Sequence, residues 1–306
     1  MGKSDIFQRK ALNYVRGEGV LNWYPGHMAK TKRLIRENLK WVDVVLELID
    51  ARLPVSSRNP ILPDLLKQKP LVLLFNKADL ADEKATEAWL AHYRRQNYSV
   101  LTFNALQNRS KERKRLYNLV RKQAQEELRR RTKRGIKNKI VRLMIIGIPN
   151  VGKSTLINNL KGRRVAATGK RPGVTKGKQW IRLDNNLELL DLPGILWPKI
   201  DDPEVGYKLA VTGAIKEEIY DPLPLAFWLI EWLKENKAGC LKTIYQIQET
   251  QTANLVLTAL CEKRGFLQTG GGFDLEKGAL FLLREFEQGR LGRVTMDVYQ
   301  SYNQTN

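Results

Sequence analysis

Eight residues, Gly147-Ile148-Pro149-Asn150-Val151-Gly152-Lys153-Ser154, have the spacing G-x-x-x-x-G-K-S, and their chemistry suits phosphate. The strand-like run Val141 to Ile146 precedes them and the helix-like run Thr155 to Leu160 follows. A glycine-rich turn between a buried strand and a helix points several backbone N–H groups into one concavity, and the helix N-terminus adds positive potential there. Asn150, Val151, Gly152, Lys153, Ser154 and Thr155 would line that cradle, with Lys153 reaching β- and γ-phosphates and Ser154 ligating Mg²⁺. A chance Gly-Lys-Ser turn lacks this strand-then-helix context, which is what favours a nucleotide site.

A second constellation, Asn76-Lys77-Ala78-Asp79, closes the apolar run Pro70 to Phe75. A carboxylate at a strand's C-terminal end can accept from the ring N–H and the exocyclic amine of guanine. Adenine offers neither donor in that arrangement, and an unpaired buried carboxylate costs on the order of several kcal/mol. Asp79 would take this role, Asn76 would bond the opposite edge of the base, and the Lys77 stem would cover its face. Asn104 and Ala105, after the strand-like run Tyr98 to Phe103, could close over the base with their backbone. The plain alternative is a strand-end turn stabilised by Asp79; the phosphate loop in the same chain favours base reading.

Two further loops match the switches of a GTPase: Arg171-Pro172-Gly173-Val174-Thr175 and Asp191-Leu192-Pro193-Gly194. Thr175 can ligate Mg²⁺ and sense the γ-phosphate, Asp191 can hold Mg²⁺ through water, and the Gly194 N–H can bond the γ-phosphate. Such loops order on the γ-phosphate and relax after hydrolysis.

Short apolar runs alternating with helical segments must position these groups. Val42 to Ile49, Pro70 to Phe75, Tyr98 to Phe103 and Val141 to Ile146 read as parallel strands with crossover helices, and Trp180 to Leu183 and Leu187 to Leu190 as two more. The expected fold is α/β: a P-loop domain with a mostly parallel sheet flanked by helices, followed by a small all-helical C-terminal domain. Residues 1–22 form an N-terminal arm, 23–205 the nucleotide domain and 206–306 the helical domain. In the last, Pro222 to Lys237, Thr250 to Lys263 and Leu275 to Gln288 read as helices. Leu225, Trp228, Leu229 and Trp232 recur at helical spacing and read as core. Gly270-Gly271-Gly272 lacks a following Lys-Ser or Lys-Thr and reads as a turn.

The chain has 306 residues, and 53 Lys+Arg against 32 Asp+Glu give a net charge of +21, which points to a polyanion. Nucleic acid is the first expectation and an acidic membrane surface the weaker one. Much of the excess lies between Asn108 and Lys139, where Arg113, Lys114, Arg115, Arg129, Arg130, Arg131, Lys133 and Arg134 surround the spaced apolar Leu116, Leu119, Val120 and Leu128. The pattern predicts a helix with a basic face, either merely solvated or in contact with nucleic acid. Cys240 and Cys261 have no metal-ligand spacing and read as core thiols of a reducing, cytoplasmic protein. The most apolar run, Pro222 to Leu233, is too short to span a bilayer, and no membrane partner is expected.

In the usual GTPase chain the phosphate loop comes first and N-K-x-D last; here N-K-A-D precedes both phosphate loop and switches. A parallel sheet can survive joining the old ends and cutting elsewhere. This order, with Trp23-Tyr24-Pro25-Gly26-His27-Met28-Ala29-Lys30 ahead of a basic helix over Ala29 to Lys40 and V-T-G-A-I-K-E-E later on, resembles the circularly permuted ribosome-assembly GTPases of the ribosome biogenesis GTPase A group. The resemblance runs from about Asn22 to Leu291-Gly292-Arg293-Val294-Thr295. It implies hydrolysis of GTP to GDP coupled to late maturation of the large ribosomal subunit, with the helical domain contacting rRNA and no DNA partner.

Many GTPases place a water-orienting Gln after D-x-P-G; this chain has Ile195 and no Gln close by. The resemblance maps the water-positioning role onto His27, making His27, Lys153 and Thr175 the catalytic set; RNA contact or a structural bond to its own turn remain open for His27. The other histidine, His92, reads as a surface residue of the helix-like Trp89 to Arg95. Asn150 resembles the Asn that helps hold K⁺ in potassium-stimulated relatives, where the cation supplies the charge of an arginine finger. Two other readings stand beside the GTPase: a non-enzymatic, GTP-controlled RNA-binding switch, and an ATP-driven nucleic-acid enzyme that leaves N-K-A-D unexplained.

Overall fold

The computed structural model describes residues 28–60, 62–66, 69–104, 110–136, 140–161, 179–191, 202–249 and 251–299, with the backbone alone for 28–32, 34, 179 and 191. The described residues between 28 and 191 are built on a six-stranded sheet. Its strands are β1 (Val44–Asp50), β2 (Leu71–Asn76), β3 (Ser99–Thr102), β4 (Val141–Gly147), β5 (Gln179–Asp184) and β6 (Leu187–Asp191), in the spatial order β3-β2-β1-β4-β6-β5. All neighbours run parallel except β5, which is antiparallel to β6. The α/β class read from the alternating runs is the observed one.

Central parallel strands are covered on both faces, and every residue of β1 is buried accordingly. On one face Val45, Met144, Ile146 and Leu190 pack with Ile35 and Leu39 of α1 (Met28–Leu39) and with α2 (Leu62–Leu66). Farther along that face Ile49, Leu73 and Phe75 pack with Trp89, Leu90 and Tyr93 of α3 (Glu83–Arg95). Glu47 sits in mid-β1 yet is satisfied: it accepts from the Asn59 N–H at 3.1 Å and from Arg58 Nη2 at 3.1 Å. Burial pushes its carboxyl up, and the Arg58 charge pulls it part of the way back.

Helix α3 begins at Asp82, whose side chain accepts from the Ala85 N–H at 2.8 Å. His92 on this helix is a correction to the sequence reading, because it is buried rather than on the surface. Trp89 and Tyr299 lie edge-on to its ring at 5.4 Å, and burial followed by the nearby Arg95 charge lowers its pKa. The covering Tyr299 comes from the far end of the chain, which the periodicity of α3 cannot reveal. The basic segment expected as one helix folds as α4 (Ser110–Gln123) and α5 (Gln125–Lys133), interrupted at the buried Ala124. Helix α6 (Lys153–Lys161) follows β4.

Residues 202–293 form a separate helical unit. It contains α7 (Pro203–Val211), a 3-10 turn (Glu217–Ile219), α8 (Pro222–Asn236), α9 (Cys240–Tyr245), α10 (Ala253–Arg264) and α11 (Leu275–Glu287). Asp202, Asp221, Thr252 and Asp274 cap α7, α8, α10 and α11 through side-chain oxygens. Leu225, Leu229, Leu257, Leu282 and Phe286 are buried in its core, and Trp232 lies edge-on to Phe286 at 6.4 Å. Cys240 and Cys261 are free, buried thiols. Gly278 lets α11 approach α10, since a Cβ there would stand 2.3 Å from Cys261 Sγ. Among the described residues no helix is long and apolar enough to cross a membrane.

The sequence reading gave all of 206–306 to the helical domain. The described residues 294–299 instead lie on the sheet-bearing unit, because buried Val294, Met296 and Asp297 find their partners there.

Candidate nucleotide site

The chain runs β1, β2, β3 outward on one side and then crosses to β4 on the other side of β1. Ligands of open parallel sheets sit beyond the carboxyl ends of the strands at such a reversal. Asp50 pairs in register with Asn76, and Leu48 with Gly147, so the ends of β1, β2 and β4 reach the same edge of the sheet. Asn104 lies just past β3, where the Phe103 N–H donates to the Phe75 carbonyl at 2.7 Å, and Asp191 ends β6.

The loop after β4 is shaped by its glycines. A Cβ on Gly147 would meet the Leu48 carbonyl at 2.9 Å and Val151 Cγ1 at 3.0 Å. Gly152 is left-handed at φ +98°, and a Cβ there would stand 2.3 Å from Asn76 Nδ2. Asn150 also takes a left-handed turn, at φ 55°. The loop then enters α6, whose first turn holds buried Lys153 and half-buried Ser154 and Thr155. Backbone donors and a cation thus converge at a helix N-terminus, a fit for phosphate.

The turn after β2 is bonded to this loop. Asn76, 2% exposed, donates from Nδ2 to the Val151 carbonyl at 2.7 Å. The sequence places Asn76 at the edge of the base, and one N–H of its amide is engaged with the phosphate loop. Lys77 takes a left-handed conformation at φ 58° and sets its Nζ 3.2 Å from Asp50 Oδ2. Asp79 is half-buried and forms no hydrogen bond or ion pair with a described residue.

Asp50 and Arg52 were not among the sequence-derived candidates. Arg52 donates to Asp50 from Nη2 at 2.8 Å, from Nε at 3.0 Å and from its backbone N–H at 3.1 Å. Burial alone would raise the Asp50 carboxyl, but the Arg52 and Lys77 charges outweigh it and hold the group well below the ordinary carboxylate range. The available signal was an acid and a base two residues apart at the carboxyl end of a strand.

His27, Ala105, Thr175 and Gly194 lie outside the described residues, as does the Asp191 side chain. Along α4 and α5, Lys111, Lys114, Arg115, Lys122, Arg129, Lys133 and Arg134 are exposed and form no ion pair with a described residue. Arg121 and Arg131 are paired, with Asp184 and Asp43.

A protein-family profile described as "50S ribosome-binding GTPase" matches residues 142–259. A protein named "Ribosome biogenesis GTPase A" from Priestia megaterium is 43% identical over 279 residues, 90% of this chain and 96% of that protein. A protein of the same name from Thermotoga maritima is 32% identical over 90% of this chain and 94% of its own length. Among solved structures, GDP-bound TM YlqF is similar with a TM-score of 0.63 at 27% identity, covering 88% of this chain and 100% of that one. GNP-bound YlqF from T. maritima gives a TM-score of 0.61 at 30% identity, covering 88% of this chain and 97% of that one.

Proposed function

The chain belongs to the ribosome biogenesis GTPase A family and is a GTPase, and from that premise we propose that it hydrolyses GTP on precursors of the large ribosomal subunit during late maturation. On this reading it binds rRNA in a nucleotide-dependent way in the cytoplasm. The observation that carries it is the meeting of the N-K-A-D turn and the phosphate loop at one sheet edge through the Asn76 to Val151 bond. The net charge of +21 and the exposed cations of α4 and α5 that pair with no described residue support a polyanionic partner.

Asp79 accepts from the guanine ring N–H and exocyclic amine, and the Lys77 stem lies on the base, its ammonium held at Asp50. Asn104 and Ala105 close over the base. The N–H groups from Asn150 to Thr155 and the Lys153 ammonium hold the β- and γ-phosphates and stabilise charge that develops between them. Ser154, Thr175 and, through water, Asp191 would hold Mg²⁺, which supplies neutralisation of the phosphate oxygens. Asn150 would help hold K⁺ in the place an arginine finger takes elsewhere. Thr175 and the Gly194 N–H read the γ-phosphate, and His27 orients the attacking water where Ile195 cannot.

The test is steady-state GTP hydrolysis in K⁺ buffer with and without large ribosomal subunits, with ATP as control. Stimulation by particles with GTP alone is expected. Unstimulated turnover with GTP-dependent particle binding intact would replace coupled hydrolysis by a passive switch, and loss of both would remove the ribosomal assignment.

A further inference from the structure

The last described residues, 294–299, form a strap on the sheet-bearing unit, and its contacts fall on both sides of the N-K-A-D turn. Beyond that turn, the Val294 N–H donates to the Leu80 carbonyl at 3.0 Å. Thr295 Oγ1 accepts from the Asp82 N–H at 3.2 Å. Leu80 directly follows Asp79, and its own N–H is bonded to the Lys77 carbonyl at 2.9 Å. On the other side the Met296 N–H donates to the Arg52 carbonyl at 2.8 Å. Arg52 is the residue whose guanidinium fixes Asp50, and Asp50 in turn holds Lys77.

Asp297 anchors the strap. Its Oδ2 accepts from the Val55 and Ser56 N–H groups, both at 2.8 Å, and its Oδ1 accepts from Ser56 Oγ at 2.7 Å. Its backbone carbonyl accepts from Trp89 Nε1 at 3.0 Å, and the Tyr299 ring stands edge-on to Trp89 at 5.3 Å. Three donors satisfy this buried carboxylate and tie the segment to the turn at Val55 and Ser56.

We propose that the strap is a positioning element for guanine recognition, with Thr295 and Asp297 as positioning residues that hold Asp79 and Lys77 in register with the base. The inference rests on Asp79 reading guanine. Both residues act at a distance from the base: Thr295 bonds the Asp82 N–H, and Asp297, held at Val55 and Ser56, fixes the strap whose Val294 and Met296 bond Leu80 and Arg52 and so the Arg52–Asp50–Lys77 chain. Preorganised contacts of this kind lose strength when their supporting shell loosens by a fraction of an ångström.

The experiment measures the ratio of GDP to IDP affinity in the full chain, because inosine lacks the exocyclic amine that Asp79 accepts. Wild type and the variants Asp297→Asn, Thr295→Val and Asp79→Asn are compared, with the folded fraction fixed by thermal unfolding. In Asp297→Asn an amide nitrogen replaces one accepting oxygen; Thr295→Val removes a single acceptor at a half-exposed site and remains informative if Asp297→Asn fails to fold. The wild-type preference for GDP is expected to be about tenfold or more and to shrink several-fold in both strap variants. A merely structural loss would weaken GDP and IDP alike and leave the ratio unchanged. An unchanged ratio in the strap variants, with Asp79→Asn abolishing it, overturns the inference and leaves base reading intact. A wild-type ratio near one overturns base reading by Asp79.

Discussion

Asn76 Nδ2 lies 2.7 Å from the carbonyl of Val151, so the end of β2 and the phosphate loop are hydrogen-bonded to each other across 75 positions of sequence. The left-handed Gly152 presents its bare Cα side to the same amide, which a Cβ would approach to 2.3 Å. The two halves of the site are therefore one packed unit. Removing the amide leaves a buried carbonyl unpaired and frees the loop. Asn76→Ala is expected to weaken GTP and GDP binding together by about 10- to 100-fold, as for loss of a buried hydrogen bond. Gly152→Ala should reproduce that loss by pushing Asn76 away. Titration of a fluorescent guanine nucleotide checks both; a variant that lost GTP affinity alone would show that the bond serves only the γ-phosphate.

Asp79→Asn should exchange specificity. The amide keeps a single accepting oxygen and so cannot accept from both the ring N–H and the exocyclic amine of guanine, but its N–H can donate to the extra carbonyl of xanthine. GTP affinity is expected to fall by at least about tenfold while XTP affinity rises. Competition between the two nucleotides measures the exchange, and undiminished GTP binding would end the base-reading role.

Asp50→Asn should destabilise the domain and change its response to acid. Breaking a buried ion pair while leaving Arg52 in place costs about 3–5 kcal/mol. The folded-state pKa of Asp50 lies below its unfolded value of about 3.9, so the pair's contribution is complete above about pH 4 and is lost as pH falls through the depressed folded value. Between pH 6 and pH 3 the wild type should therefore lose more unfolding free energy than Asp50→Asn does. Urea denaturation at the two pH values reads the difference, and parallel losses would show that Asp50 is not the titrating group.

The exposed cations of α4 offer a test of the polyanion reading. If Lys111, Lys114, Arg115 and Lys122 each neutralise one phosphate, replacing all four by Ala should flatten the slope of log affinity for rRNA against log salt by about 3 to 4. GTP binding should be retained, because none of the four is in the nucleotide loops. An unchanged slope would assign the RNA contact elsewhere.

How much of this was legible follows from what local sequence encodes. The six strands and most helices could be read from apolar runs, caps and glycines, because periodicity, capping and turn chemistry act over a few residues. The phosphate loop, the N-K-A-D turn and their permuted order were legible for the same reason: each is a short segment whose backbone demands particular residues. Where the demand is nonlocal, the sequence was silent. It could not show that Asn76 spends its amide on Val151, that Asp50 and Arg52 hold Lys77, or that His92 is covered by Tyr299. It placed residues 294–299 with the helices they follow, although Asp297 is anchored at Val55 and Ser56, more than two hundred positions away. An acid or an amide can satisfy its hydrogen bonds with many donors, and only the closing of the sheet and the packing of its helices decide which donor is within reach.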